Sequence, residues 1–345
     1  MATAGERRSK KESVRAAFAC QPTQRVLKAL WRHFPTIDQD PALLAEAEVA
    51  FAKKYDVDLV KLNPAGTYTI QDRGGEIQFF EDGLTVPKVV RPAVQCASDW
   101  NAIRPADVTR GAYGARLECI ARCMTEFSKM NLPVYETVFS PLTTVKKLSA
   151  DERFPEYLRE HKTLIRSALR ALTEETLAYV MKLQSLGVGV FFATQCAVRH
   201  IMSEDEYEEF GVPYDLEVLE FAKNGGMSIL LHIHGENVMF DLLLKYPADA
   251  VSWHTRLTRP SLSEARLKTE KCFLAGVRRE TILTGTPADV EAEVLDAVRQ
   301  VNGRGIIVAP GCTVSPRAPE ANLAAYCAAA EKASAMLLQQ PTNCP

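Results

Sequence analysis

Two histidines separated by a single residue, His232 and His234, carry the clearest chemical signal in this sequence. They end an apolar run with the pattern of a β-strand, in which residues i and i+2 point to the same face. Both imidazoles can therefore reach one point, and neutral imidazole is a common ligand of zinc, iron and copper. Cys312 ends the last strand-like run and can supply a thiolate as a third ligand. Three protein ligands with an open position are typical of catalytic zinc; the alternative is a pair of hydrogen-bonded histidines beside a buried thiol.

Further polar residues stand at or near the ends of strand-like runs, where parallel β/α barrels build their sites. The candidate substrate contacts are Arg32, His33, Lys61, Asn63, Tyr68, Gln195 and His254. Arg32 suits a carboxylate or phosphate on the substrate, with a structural ion pair at the rim as the alternative. Lys61 lies in an apolar run and fits either a substrate contact or a salt bridge of the barrel. Glu236 and Asn237 fit either hydrogen-bonding partners of the metal ligands or the start of the next helix.

The elements that must position these residues are short apolar runs separated by helical patterns. Eight such runs occur, at 26–31, 57–62, 133–139, 188–194, 228–234, 249–254, 272–277 and 305–311. Helices are predicted at 40–55, 164–187, 203–226, 237–246, 261–271, 286–301 and 318–340. Strands that alternate with helices indicate parallel β/α units, and eight units predict an α/β fold of the (β/α)8 TIM-barrel type. An open doubly wound sheet is the alternative, but no Gly-x-Gly-x-x-Gly turn follows a strand.

The segment 64–132 interrupts this alternation after the second strand. It contains a predicted hairpin at 68–83, with its turn at Gly74–Gly75, and a predicted helix near 112–130. We interpret the segment as an insertion that lies over the barrel mouth.

The composition is that of an ordinary globular protein, with 47% hydrophobic and 24% charged residues among 345. The formal charge of −2 argues against nucleic-acid or anionic-membrane partners, and no apolar run reaches the ~18 residues of a membrane span. The nine cysteines include no Cys-x-x-Cys pair, which favours a reduced, cytoplasmic chain. We expect residues 1–20 to form a flexible tail and residues 21–340 a single barrel domain. Barrel enzymes of this size often pair, so a homodimer stays open.

Seven segments give the chain a family resemblance. They read VLKALWRHF, YDVDLVKLNPAGTY, PVYETVFSPLT, VFFATQCA, SEDEYEEFGVPYD, LLHIHGENV and APGCTVSPRAPEANLAA. From about residue 20 to residue 335 the sequence resembles the uroporphyrinogen decarboxylase superfamily. Within it, the chain is most similar to the zinc-dependent, corrinoid-linked methyltransferases of the methylcobamide:coenzyme M type.

This resemblance implies zinc ligands from a His-x-Cys pair and from a late Pro-Gly-Cys-like segment. His232, His234 and Cys312 fall on these positions, with histidine in place of the middle cysteine. The implied site is therefore His2Cys, with one zinc ion per chain. A corrinoid is implied as the methyl carrier. Because the chain lacks an Asp-x-His-x-x-Gly corrinoid motif, we expect the corrinoid on a partner protein or as a free cofactor.

The metal-free decarboxylase branch of the superfamily matches less well. Its Arg-Gln-Ala-Gly-Arg-Tyr loop is absent after the first strand, where residues 31–35 read Trp-Arg-His-Phe-Pro. Its catalytic aspartate is absent after the second strand, where residues 60–63 read Val-Lys-Leu-Asn.

The residues and the resemblance together favour a zinc-dependent methyltransferase that moves a methyl group between a corrinoid and a thiol-type small molecule. Three alternatives stay open. The first is a metal-free decarboxylase in which Arg32 holds the substrate carboxylate. The second is a non-catalytic barrel that binds a metal or a tetrapyrrole. The third is a metal-dependent hydrolase of the amidohydrolase type, which usually carries its His-x-His on the first strand rather than the fifth.

Overall fold

Eight parallel strands and the helices between them build the fold of the computed structural model, which describes residues 8–149 and 152–339. The strands are β1 (Leu27–Lys28), β2 (Val60–Leu62), β3 (Glu76–Gln78), β4 (Lys88–Arg91), β5 (Val134–Phe139), β6 (Gly189–Thr194), β7 (Ile229–Ile233), β8 (Ala250–Trp253), β9 (Cys272–Val277) and β10 (Ile306–Pro310). The helices are α1 (Lys10–Phe18), α2 (Pro41–Lys54), α3 (Gly111–Phe127), α4 (Pro141–Leu148), α5 (Phe154–Glu160), α6 (Lys162–Ser185), α7 (Glu204–Phe210), α8 (Val212–Asn224), α9 (Phe240–Leu243), α10 (Leu262–Arg266), α11 (Arg279–Thr284), α12 (Pro287–Gln300) and α13 (Glu320–Gln339), with a 3-10 helix at Ala97–Ala102.

The large sheet has the strand order β1-β10-β9-β8-β7-β6-β5-β2, and its paired strands are parallel. A bridge between Ala29 and Leu59, beside a 2.8 Å hydrogen bond from the Asp58 amide to the Lys28 carbonyl, links its two edges. The sheet therefore curls into a TIM-like barrel, and all eight predicted strands are confirmed. Because the strands are parallel, their carboxyl ends meet at one mouth.

The strand sequences are near-continuous apolar runs because helices cover one face of the sheet and side chains fill the barrel interior. Every residue of β5, β7, β9 and β10 is buried. At the mouth, the rings of Trp31 and Phe191 meet edge to face, with 5.9 Å between their centroids. These two rings form part of the floor of a cavity at the mouth.

Capping and proline signals set the helix boundaries. Ser203 and Glu206 form the predicted capping box at the start of α7. The predicted helix 203–226 is, however, two helices that meet at Gly211. Pro213 lacks an amide proton and cannot continue the hydrogen bonding of α7, so a new helix begins there. None of the helices in the described part of the chain is long and apolar enough to cross a membrane.

The hairpin after β2 differs from its predicted register. β3 and β4 pair antiparallel, and the chain turns at Asp82 rather than at Gly74–Gly75. The Asp82 carboxylate accepts hydrogen bonds from the amides of Leu84 and Thr85, at 2.9 and 2.7 Å. These hydrogen bonds stabilise the chain reversal between β3 and β4, so the prediction that the hairpin turns at Gly74–Gly75 is wrong. The helix predicted later in the same segment is confirmed as α3.

Part of the predicted tail is helical. α1 begins after Ser9, whose side chain accepts a hydrogen bond from the Glu12 amide in a capping box. One face of the helix, including Val14, is buried. The prediction of a flexible tail over 1–20 is therefore wrong for this helix, because capping and burial stabilise a short helix. Residues 1–7 lie outside the described residues.

Candidate metal centre

Four side chains converge at the carboxyl end of the barrel: His232, His234, His254 and Cys312. Each offers a ligand atom, and these four atoms all lie within 4.8 Å of one another. His232 belongs to β7, His234 and His254 directly follow β7 and β8, and Cys312 follows β10. The structure thus brings together the three residues that the sequence suggests as ligands and adds a fourth.

Two glycines allow the backbone to bring these residues close. Gly235 has a φ of +108°, a conformation that favours glycine, and it turns the chain directly after His234. A Cβ on Gly311 would lie 3.3 Å from the Cα of His254. Glycine at this position therefore lets the loop that carries Cys312 approach β8 closely.

The protonation states in the cluster suit metal binding. The Nδ1 of His232 hydrogen-bonds the Ser252 hydroxyl at 3.1 Å, and burial lowers the pKa of His232 to about 4, so the ring is neutral at pH 7. The sulfur of Cys312 lies 3.6 Å from Nδ1 of His234. Burial opposes ionisation of Cys312, but the imidazoles of His232, His234 and His254 outweigh it and hold the thiol pKa well below its usual value.

The donor set fits zinc. Neutral imidazole and thiolate are the ligands that zinc prefers in proteins. In the described part of the chain, Nε2 of His254 is buried without a hydrogen-bond partner. A buried nitrogen without a partner costs free energy that a bound cation would offset.

The structure assigns two residues differently from the sequence. His254, suggested as a substrate contact, lies in the cluster as a fourth donor. Ser252, which the sequence reading missed, holds the outer nitrogen of His232 as the outer partners of metal-bound histidines do. The sequence signal for Ser252 is its position two residues before His254, which puts both on one face of a strand. The structure adds that Ser252 pairs with His232 across β7 and β8.

A cavity of about 580 Å³ opens beside the cluster. Its wall includes His232, His234 and Cys312 and four of the predicted substrate contacts, His33, Lys61, Asn63 and Gln195. Other side chains that complete the wall include Trp31, Thr137, Phe139, Lys147, Phe191, Arg279 and Glu280. The cavity wall therefore combines aromatic rings with cationic side chains, and the ammonium groups of Lys61 and Lys147 lie against the Phe191 and Phe139 rings.

Three cationic side chains line this cavity. Burial lowers the pKa of Lys61 to about 8 and the pKa of Lys147 to about 7. Arg279 donates to the Glu280 carboxylate at 2.8 Å. Burial opposes the charge of Arg279, but Cys312 and Glu280 outweigh it and raise the pKa of the guanidinium.

Sequence reasoning missed Lys147, Arg279 and Glu280. Lys147 lies inside α4, several residues after the end of β5, so its position in the sequence does not mark it as a strand-end residue. The run Arg278-Arg279-Glu280 follows β9 almost directly, so the end of the seventh barrel strand is a signal that could have identified it.

Besides His254, two predicted substrate contacts, Arg32 and Tyr68, do not line the cavity. The guanidinium of Arg32 lies over the rings of Phe34 and Phe51, at 5.0 and 5.3 Å from their centroids. The Tyr68 hydroxyl donates to the Thr137 carbonyl at 2.8 Å, and its ring packs in a buried aromatic cluster. Stacking and a backbone hydrogen bond therefore engage these side chains away from the cavity wall.

Glu236 and Asn237 lie in the exposed turn after β7. Asn237 has a φ of +52°, and its amide donates to the Thr258 hydroxyl at 3.0 Å. Both residues thus belong to the chain reversal before α9, and Ser252 takes the position next to His232 that was suggested for them.

The barrel and the cluster define the class of protein: a TIM-like barrel with a candidate metal site at the carboxyl ends of its strands. The sequence model of the family described as Uroporphyrinogen decarboxylase (URO-D) matches residues 13–333. The chain belongs to the URO-D family, and the resemblance seen in its sequence is confirmed.

Two relatives that match over most of this chain are methyltransferases. The methylcobamide:CoM methyltransferase MtbA of Methanosarcina acetivorans is 22% identical over 334 residues, which cover 91% of this chain and 95% of MtbA. MtaA of Methanosarcina barkeri, with the same description, is 22% identical over 303 residues and 87% of each chain. The solved structure of a methyltransferase from Methanosarcina mazei has a TM-score of 0.77 at 20% identity, covering 94% of this chain and 98% of that one. This likeness supports the TIM-like fold.

Proposed function

We propose that this protein is a zinc-dependent methyltransferase that moves a methyl group between a corrinoid and a thiol-type small molecule. The observation that carries the proposal is the convergence of four histidine and cysteine ligand atoms within 4.8 Å of one another beside a cavity. Two relatives that match over most of this chain are methylcobamide:CoM methyltransferases, which supports the same reaction class.

In this proposal His232, His234 and Cys312 hold one zinc ion and leave one coordination position open for the substrate thiol, beside the imidazole of His254. A zinc ion bound here would lower the pKa of a substrate thiol, so that thiolate forms near neutral pH. Ser252 fixes the ring of His232 through Nδ1 and so presents its other nitrogen to the cluster. In the transfer the thiolate sulfur would bond to the methyl carbon, and the electron pair of the carbon–cobalt bond that is broken would stay with the corrinoid as the leaving group.

We also propose that the segment 64–132 covers the mouth and meets the corrinoid. Leu84, Thr85 and Val86, from the loop between β3 and β4, line the same cavity as Cys312. Leu84 and Val86 each keep 38% of their surface exposed. Apolar side chains at an open entrance suit contact with a large ligand or with the protein that carries it.

The test is methyl transfer from methylcobalamin, as a free corrinoid, to a panel of small thiols. We expect turnover by protein loaded with one equivalent of zinc, seen as loss of the methylcobalamin absorbance and formation of the thioether by mass spectrometry. Protein stripped with a chelator should be at least about 100-fold slower, because loss of the metal removes thiol activation. Equal turnover with and without zinc would contradict the proposal.

Ser252→Ala is expected to weaken zinc binding about 10- to 100-fold, because removal of an outer partner frees the ring of His232. Competition with a chromogenic chelator measures this change. The control is Ser228→Ala, which removes a hydroxyl just before β7, at the end of that strand opposite His232. It should leave zinc affinity unchanged. Equal affinities of the Ser252 and Ser228 variants would show that the hydroxyl does not support the metal site.

A further inference from the structure

We infer that the buried carboxyl group of Asp215 positions the barrel mouth, and that its deprotonation loosens the segments around the mouth. The inference rests on the proposed function only where it identifies the mouth as the place of methyl transfer. Asp215 belongs to α8, a helix that packs against α6 and β7. It is part of neither the candidate metal cluster nor the cavity wall, so it acts on the mouth through other residues.

Three hydroxyl groups from different segments meet at this carboxyl group. The Tyr207 hydroxyl donates to Oδ2 of Asp215 at 2.6 Å, and the Tyr246 hydroxyl donates to the same oxygen at 2.9 Å. The Ser140 hydroxyl also faces the carboxyl group and favours its charged form by hydrogen bonding. All four side chains are almost fully buried. We call these four residues the Asp215 cluster.

The Asp215 cluster joins the segments that follow three neighbouring barrel strands. Ser140 follows β5 directly and caps α4, Tyr207 lies in α7 after β6, and Tyr246 lies after β7 and α9. The strands β5, β6 and β7 pair in this order in the sheet. Because their carboxyl ends form part of the mouth, one carboxyl group holds together the segments that leave this part of the mouth.

A short path of hydrogen bonds leads from the Asp215 cluster to the cavity wall. The hydroxyl oxygens of Ser140 and Thr143 lie 3.3 Å apart, and the Thr143 hydroxyl accepts a hydrogen bond from the Gln195 amide at 2.9 Å. Gln195 lines the cavity, and α4, which Ser140 caps, carries Lys147 to the same wall. A displacement of the Asp215 carboxyl group would therefore move two parts of the cavity wall.

No cation balances the charge of this carboxyl group. Within residues 8–149 and 152–339, no lysine, arginine or histidine forms an ion pair with Asp215, and its Oδ1 is buried without a hydrogen-bond partner. Burial raises the pKa of Asp215 to about 7, although the three hydroxyl groups oppose this shift. Asp215 therefore changes its charge near neutral pH, and the charged form is the costly one in this environment.

The other titratable groups around the Asp215 cluster do not offset this charge, because the pKa of Asp215 responds to none of them. They are the Cys196 thiol, which acts on Tyr207; Lys271, which donates to the Tyr246 carbonyl; Arg166 and Arg170 of α6, which act on Tyr214; and Lys146 and Lys147 of α4. The hydroxyl groups of the cluster are thus the groups that decide how well the charged carboxylate is tolerated.

Deprotonation favours an opened mouth because the proton is bound more tightly in the closed form. A hydrated aspartate has a pKa of about 4, whereas the pKa of buried Asp215 is about 7. Between these values the closed form keeps a proton that an opened, hydrated form releases. Each rise of one pH unit therefore shifts the balance toward the opened form about tenfold, and the shift levels off above about pH 7.

Hydrogen exchange followed by mass spectrometry tests this inference on metal-free protein. Peptides from residues 140–148 and 195–211 are compared at several pH values, after correction for intrinsic exchange. We expect their protection to fall about tenfold per pH unit between about pH 5 and pH 7 in the parent protein. Asp215→Asn should remove this pH dependence, because the amide keeps an acceptor oxygen and cannot ionise. Glu220→Gln, at an exposed position of the same helix, should behave as the parent.

Two outcomes of this experiment would overturn the inference. The first is the same pH dependence in the parent and in Asp215→Asn, which would show that another group controls the opening. The second is an equal loss of protection in α12, on another side of the barrel, which would show that Asp215 affects global stability rather than the mouth.

Tyr246→Phe provides an independent test, which also serves if Asp215→Asn does not fold. The substitution removes one hydroxyl group that favours the charged carboxylate, so the midpoint of the protection change should move to higher pH by about 1 unit. Tyr214→Phe removes a hydroxyl outside the Asp215 cluster and should leave the midpoint unchanged. An unchanged or lower midpoint in Tyr246→Phe would contradict the assigned role of the cluster.

The exchange measurements need neither zinc nor a corrinoid, so their outcome is independent of the proposed function. If the mouth segments open with pH through Asp215 but the protein transfers no methyl group, the proposed function fails and the role of the Asp215 cluster stands. If zinc-dependent methyl transfer is observed but exchange of the mouth segments does not depend on Asp215, the proposed function stands and this inference fails.

Discussion

Cys312→Ala is expected to abolish stoichiometric zinc binding and to reduce methyl transfer at least about 100-fold, more than the loss of an outer partner would. Cys312 is the one sulfur donor of the cluster, and its pKa is held well below the usual value by the three neighbouring imidazoles. The variant leaves three imidazoles without the anionic ligand that balances the charge of a divalent ion.

Elemental mass spectrometry of the purified protein measures this effect directly. We expect about one zinc per chain in the parent protein and far less than one in Cys312→Ala. Cys327→Ala is the matched control, because Cys327 lies in α13, where its sulfur contacts the Tyr55 carbonyl at 3.5 Å. Full zinc occupancy in Cys312→Ala would contradict the assigned donor set. His254→Ala, tested alongside, shows whether the third histidine of the cluster adds to zinc affinity.

The barrel could be predicted from the sequence because its strands are buried on both faces. A run such as 272–277 has no polar residue, is bounded by turn or polar residues and is too short for a helix, so strand is the assignment that remains. Helix starts were equally clear where a side chain caps the amides, as at Ser203. The predicted position of the hairpin turn is wrong because two adjacent glycines are a strong turn signal. The turn at Asp82 depends instead on one side chain that hydrogen-bonds to nearby backbone amides.

The site was predictable only as far as strand periodicity reaches. His232 and His234 share a face because they are two residues apart, and both line the cavity. The side chains of Arg32 and Tyr68 are long enough to reach either the cavity or a neighbouring aromatic surface. Tertiary packing, which strand periodicity does not predict, sets their orientation. Lys147 could not be found because its helix, rather than a strand end, carries it to the cavity wall.

The largest effect on stability is expected from the buried ion pair between Arg116 of α3 and Glu136 of β5. The guanidinium donates to both carboxylate oxygens, at 2.8 and 2.6 Å, and both side chains are almost fully buried. Arg116→Met should lower the free energy of unfolding by about 3–5 kcal/mol, because it leaves the Glu136 carboxylate buried without its counter-charge. Tyr179, which donates to the same carboxylate at 3.3 Å, supplies one hydrogen bond but no charge.

Denaturant unfolding of matched variants measures this value. Arg122→Met is the control on the same helix; its pair with Glu118 has a similar distance, 2.8 Å, but about half of each side chain is exposed. That variant should change the free energy of unfolding by no more than about 1 kcal/mol, since water screens an exposed pair. Equal effects of Arg116→Met and Arg122→Met would show that burial of the pair does not determine its importance.

The double variant Arg116→Met with Glu136→Leu tests why the pair matters. If Arg116→Met destabilises by stranding a buried charge, removal of that charge should recover most of the ~3–5 kcal/mol, because an apolar replacement of a buried pair is often neutral or stabilising. If the loss came instead from the packing of the arginine stem between α3 and β5, the second substitution would add to the damage. Recovery would therefore assign the effect to the uncompensated carboxylate. It would also show that α3 and β5 pack stably against each other without the ion pair.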